Sequence, residues 1–175
     1  MKNIAPLIYF FTIYSFVGWM IENTHSFYVR RIFFKPNFLY GPFKPMYGFT
    51  PLLLINMISP QTHWFFVILL CFLIPTIVEY ITGWLLQKYT YRKWWDYSSY
   101  KTNIQGHICL PYSLCWILLS IICIRLVHPR IVASYSEIFA IWEVIAPIFL
   151  CYFLLELFLA IKRHTFQTQT IETHG

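Results

Sequence analysis

The chain has 175 residues, of which 58% are hydrophobic and 11% charged, with a formal net charge of +6. A soluble domain carries about 25% charged residues, and a soluble monomer of this size has too much surface per unit volume to hide such an apolar excess. An ordinary soluble enzyme, a disordered tail and a nucleic-acid module are therefore excluded, and the expected solvent is lipid.

The first apolar run covers residues 4–28. It follows Lys2, but it is too long for a secretory signal core and no small-x-small cleavage site follows it, so it reads as a retained helix. The second run, 42–58, is broken. Phe38 to Ile58 contains Gly41, Pro42, Pro45, Gly48 and Pro51, and only the 13 residues Met46–Ile58 are continuous. A straight span needs roughly 20 apolar residues, so this segment is either a short span or re-entrant. Residues 64–86 form a clear span. Residues 108–127, with Pro111 near the start, form another. Residues 138–161, with Pro147 inside, form the last.

Charge separates the two readings of the second run. If it crosses, ten Lys and Arg residues lie on one side and three on the other; if it is re-entrant, the split is six against seven. Cytoplasmic loops are enriched in Lys and Arg. The expectation is an all-α polytopic transmembrane bundle of about five spans, the second short and Pro/Gly-broken. The N-terminus lies outside and the C-terminus in the cytoplasm. Residues 1–163 form one transmembrane domain, and 164–175 form a polar tail expected to be disordered. The basic loops suit an anionic membrane surface better than nucleic acid.

Four of the seven acids, Glu22, Glu79, Glu143 and Glu156, fall inside spans. An ionisable group in hydrocarbon costs a few kcal/mol or more, faces the bundle interior and needs a partner. Glu22 and Glu79 lie about six and seven residues before the inner ends of their helices, roughly 9 and 10 Å deep. Each shares a helix face with small or polar residues: Ser15, Gly18 and Ser26 for Glu22, and Thr76, Thr82 and Gly83 for Glu79. Such faces pack against other helices. One reading is an inward-facing polar cavity formed by Glu22 and Glu79. The other is a pair of structural acids bonded to Trp, Tyr or backbone groups. Glu143 and Arg125 both lie near outer helix ends, where a structural ion pair is expected. Glu156, close to Lys162 and Arg163, is expected to snorkel or pair there.

The segment Gly41-Pro42-Phe43-Lys44-Pro45-Met46-Tyr47-Gly48 is either a tight entry turn or irregular backbone lining a cavity. In the second polar loop, Trp94, Trp95 and Tyr97 suit headgroup anchors. Asp96 is the lone acid among Lys88, Arg92, Lys93 and Lys101, placed for a cap or a local salt bridge. The five cysteines form no CxxC pair and His107-x-Cys109 is too small for a metal motif, so inert thiols are expected.

Gly18-Trp19-x-x-Glu22, Gly41-Pro42-x-x-Pro45-x-Tyr47-Gly48, Glu79-x-x-Thr82-Gly83, Trp95-Asp96-Tyr97-Ser98 and Gly106-x-Ile108-x-Leu110 follow in order through residues 15–120. On these elements the chain resembles the CmpB-type family of bacterial membrane proteins, labelled ABC-transporter permeases. The resemblance implies a multi-pass bacterial inner-membrane protein serving as a permease subunit. It brings no substrate and no catalytic residue with it.

A permease subunit is thus the first expectation, with Glu22, Glu79, Trp19, Thr82, Tyr47, Asp96 and His107 as candidates for contacting an ion or substrate. The chain lacks the GxxxxGK[ST] loop, so an ATPase would be a separate chain. A five-helix bundle is narrow, which favours a homo-oligomer or a second membrane subunit. A non-catalytic membrane scaffold or sensor is the alternative. A small enzyme acting on a lipid-linked substrate, with Glu22, Glu79, Asp96 and His107 as acid–base groups, ranks third. No HExxH, GxSxG or clustered acidic motif is present, and neither cofactor nor metal is expected.

Overall fold

Helix α1 (Ala5–Arg30) begins with a proline in its first turn, where the missing N–H costs nothing. It ends where Arg31 turns left-handed (φ 58°) and its N–H bonds Phe27 O at 2.9 Å. A computed structural model of the chain describes the backbone of residues 4–172 and the side chains of residues 4–164. After α1 come α2 (Pro45–Met57), α3 (Trp64–Thr90), a two-stranded hairpin of β1 (Asn103–Ile104) and β2 (Ile108–Cys109), then α4 (Leu110–Ile122). A π-helical turn (Cys123–Val127) leads into α5 (His128–Glu172).

Among the described residues, three helices are long and apolar enough to cross a membrane: Ala5–Arg30, Trp64–Thr90 and the uninterrupted helical run Leu110–His164 of 55 residues. The sequence predicts about five spans, and two local features account for the smaller number of long helices. Helix α2 has 13 residues, about 20 Å at 1.5 Å per residue, against a hydrocarbon core of about 30 Å. The fourth and fifth expected spans join without a break. Pro129 cannot donate to the carbonyl four residues back, and its ring crowds that turn. The wider π turn immediately before it relieves the crowding while the backbone stays helical. The helix also continues to Glu172 through residues read as a disordered tail. The hairpin is a small departure from an all-helical chain.

The described residues form two compact units: residues 4–49 with 130–163, and residues 50–129 with 164–172. In the first, α1 packs closely on the opening residues of α2. Tyr47 lies against Gly18, and Phe11 and Ser15 lie against Gly48, so a β-carbon on either glycine would collide with these side chains. Lys44 N–H bonds Ser15 O at 3.0 Å and holds the entry to α2 on α1. On the other side of α1, Tyr9 meets the rings of Trp142 and Tyr135 at 4.9 and 5.2 Å. The Trp142 indole donates to Ala5 O at 2.8 Å.

In the second unit, α3 and α4 run antiparallel. The guanidinium of Arg125 lies 5.1 Å from the Trp64 ring at one end, while Trp116 reaches Glu79 further along. Leu54, Val67 and Cys71 form the buried centre, packed with Ile74, Ile117, Ile121 and Ile124. Lipid is as apolar as these side chains, so the contact is held by close packing and polar bonds rather than by water exclusion. The chain leaves this unit after Pro129 and re-enters it at His164, whose ring meets Trp94 edge-on at 5.0 Å. Phe65, Ile77 and Ile81 on α3 and Ile141, Val144 and Ile148 on α5 are exposed, as lipid-facing side chains are.

Candidate functional site

Glu79 sits on α3, the longest helix before the hairpin, and is 3% exposed. The Tyr97 hydroxyl donates to its Oε1 at 3.0 Å and the Trp116 indole N–H donates to its Oε2 at 2.7 Å. Tyr97 belongs to the polar loop and Trp116 to α4, so one carboxylate joins two helices and the loop between them.

The loop is built to deliver Tyr97. Gln105 (φ 53°) and Gly106 (φ 75°) both turn left-handed, which closes the hairpin tightly. The Gly106 carbonyl then accepts from Tyr97 N–H at 2.8 Å. The Tyr97 ring stacks on Tyr112, 4.9 Å between centroids. Burial, and then the charge of Glu79, push the Tyr97 hydroxyl far above its ordinary pKa, so it stays a proton donor.

Asp96 organises the same loop from its exposed side. Its Oδ1 accepts from Ser98 N–H at 3.0 Å and from the Ser98 hydroxyl, and it pairs with Lys93 at 3.3 Å. These bonds hold its carboxyl below the usual range. A β-carbon on Gly106 would strike Asp96, Ser98 and Lys93, which is why glycine closes this turn.

His107 is 3% exposed. It lies against Gly83, where an added β-carbon would come 3.0 Å from Nδ1 and 3.1 Å from Trp95. Its carbonyl accepts from the Trp95 indole at 2.8 Å. Burial, followed by the charge of Lys93, lowers its pKa; Asp96 opposes the shift. Thr82 is half-buried, with no side-chain hydrogen bond to the described residues. Glu79, Gly83, Trp95, Tyr97 and His107 are therefore one assembly in the second unit.

Glu22 has a different set of partners, all in the first unit. Lys35 and Lys44 both place their ammonium groups on Glu22 Oε2, at 2.6 and 2.9 Å. Asn23, one residue on, accepts from Lys35 N–H at 3.1 Å and donates to Trp19 O at 2.8 Å. Trp19 stacks with Phe16 and meets Phe33 edge-on. Tyr47 serves as the surface against which Gly18 packs.

Glu156, expected beside Lys162 and Arg163, is bound elsewhere. It is 8% exposed and accepts from Tyr40 N–H at 2.7 Å, Gly41 N–H at 3.1 Å and the Tyr152 hydroxyl at 2.9 Å. Arg163 donates to the carbonyls of Asn37 and Phe38 at 3.2 and 2.6 Å. Two residues seven apart on α5 thus grip the Gly/Pro-rich loop by its backbone. Sequence reasoning missed this clamp, because peptide N–H and C=O groups carry no residue identity. The four-residue spacing of Tyr152 and Glu156 was its one visible signal. Glu143 accepts from Tyr135 at 3.4 Å in the first unit, and Arg125 caps the Trp64 ring in the second. No group of three or more His, Cys, Asp or Glu side chains is placed to hold a metal ion among the described residues.

No curated protein and no solved structure matches this chain. A family model described as "Putative ABC-transporter type IV" matches residues 9–161. That stretch takes in most of α1, Glu156 with the loop it binds, the Glu79 assembly and the hairpin, and the chain belongs to this CmpB-type family of ABC-transporter-related membrane proteins.

Proposed function

We propose that this chain is a membrane-embedded permease subunit of a transporter in the bacterial inner membrane, working with a separate ATPase. The observation that carries this reading is Glu79. A carboxylate is buried in a strongly apolar helix and tied through Tyr97 to a polar loop. Such an acid is expensive in lipid, and a function is the usual reason for keeping one. An ion or proton exchanged at Glu79 would alter the Tyr97 bond and so the position of the loop. That loop is the surface an ATPase would use.

Five passes remain the topology that fits this role. The helical run has 55 residues, and two spans of roughly 20 residues each would need about 40 of them. A reversal would require this helix to break, and the π turn and Pro129 are its weakest point. The ten-to-three distribution of Lys and Arg supports an outside N-terminus and a cytoplasmic C-terminus.

The test is affinity purification of the full chain from native membranes in mild detergent. A P-loop ATPase should co-purify with it. Charge-reversing Lys88 and Lys101 should weaken that association. Recovery of the folded chain with no nucleotide-binding protein would remove the transporter reading.

A second reading, a membrane scaffold or sensor, is favoured by one observation: both carboxylates already have protein partners, Glu22 two lysines and Glu79 a tyrosine and a tryptophan. A Glu79→Gln protein that folds and retains every cellular phenotype would support it.

A further inference from the structure

The end of α1 and the loop after it carry Arg30, Arg31, Lys35 and Lys44, and Glu22 is the only acid between residues 19 and 45. Lys35 and Lys44 converge on a single oxygen of Glu22. Each ammonium has three donors, and among the described residues each uses one, on Glu22. Two positive charges therefore share one negative charge, with four N–H groups to spare. The Lys44 side chain is only 14% exposed and Lys35 32%. Half-buried donors of this kind are costly unless an acceptor meets them.

The surroundings indicate which acceptor. Tyr28 is 81% exposed, Phe34 77% and Ile32 54%. Large apolar and aromatic side chains flanked by Arg and Lys belong at the headgroup level of a bilayer. The two unesterified oxygens of a phosphodiester can accept from two ammonium groups at once. We propose that Lys35 and Lys44 hold the phosphate of an anionic phospholipid headgroup, with Glu22 as the carboxylate that competes with it for both ammonium groups. This site does not depend on the chain being a transporter.

The full chain is placed in phosphatidylcholine nanodiscs with and without phosphatidylglycerol, and the lipid retained after extraction is measured by mass spectrometry. The wild type should enrich phosphatidylglycerol. Lys35→Gln and Lys44→Gln should each lower that enrichment about fivefold, the effect of one basic residue near a lipid surface. Glu22→Gln should raise it, because it frees both ammonium groups. An ion triad that only holds the loop predicts the opposite pattern: all three variants destabilise and enrichment stays constant. That result overturns the proposal. Displacement of the lipid by inorganic phosphate also overturns it, since the occupant would then be a soluble anion. If Lys35→Gln fails to accumulate, Lys35→Arg, which must keep the enrichment, and Glu22→Gln, which must raise it, decide the matter.

Discussion

Tyr97→Phe removes one oxygen atom from the loop and leaves Glu79 in place. The hydroxyl it deletes donates to Glu79 Oε1 at 3.0 Å, and Glu79 is 3% exposed. Hydrogen bonds to charged groups contribute about 1.5–3 kcal/mol. Hydrogen bonds inside membrane proteins average nearer ~0.6 kcal/mol, because unfolded segments find other partners. The larger range applies here. The acceptor is a buried carboxylate screened from water, and Tyr97 is its partner from the loop. A loss of about 2 kcal/mol is expected, lowering the unfolding midpoint by about 4–8 °C for a chain of this size. Thermal unfolding in detergent reads this directly, and the stacked Tyr112 ring retains its neighbour because Phe keeps the ring. Glu79→Gln combined with Tyr97→Phe completes a double-mutant cycle, in which a coupling of about 1 kcal/mol or more is expected for groups in contact. If Tyr97→Phe melts with the wild type and the coupling is zero, the claim that Glu79 ties the loop to the helix fails.

Other perturbations test the remaining parts. Glu156→Ala strips the acceptor from Tyr40 N–H, Gly41 N–H and the Tyr152 hydroxyl. Each orphaned donor costs about 1–3 kcal/mol, so limited proteolysis in detergent should cut between Phe38 and Phe43 much faster, with Glu156→Gln intermediate. Gly18→Ala drives a methyl group into Tyr47 and should cost about 1–3 kcal/mol in overpacking, read as a lower unfolding midpoint. His107 has a folded pKa held below its ordinary value of 6.5. The fold therefore favours the neutral ring, and that stability is complete above the unfolded pKa and lost as pH falls through the folded one. Between about pH 7 and pH 5 the wild-type midpoint should drop further than that of His107→Gln; parallel curves would show that His107 contributes nothing.

The amino-acid pattern alone established the solvent, the helical class and the interruption before α2, but not the continuous helix from Leu110 onward. Charge density and run length are properties of the linear sequence, so the membrane assignment required no folded structure. The short α2 was visible in its glycines and prolines, and the two acids most worth following, Glu22 and Glu79, stood out because charge is scarce in lipid. Gly18, Gly83 and Gly106 were legible as motif positions, but what they make room for was not. Only the tertiary structure decided the partners. Tyr97 reaches Glu79 from 18 residues away because its N–H is held by Gly106 O in the hairpin that follows it, closed by two left-handed residues, and that conformation is not encoded by side-chain periodicity. Lys35 and Lys44 reach Glu22, and Glu156 reaches the peptide groups of Tyr40 and Gly41, through a loop whose path is set by Gly and Pro. A lone charge in an apolar helix announces that it needs a partner. Which partner it finds depends on where distant backbone is brought in space, and that is a property of the fold.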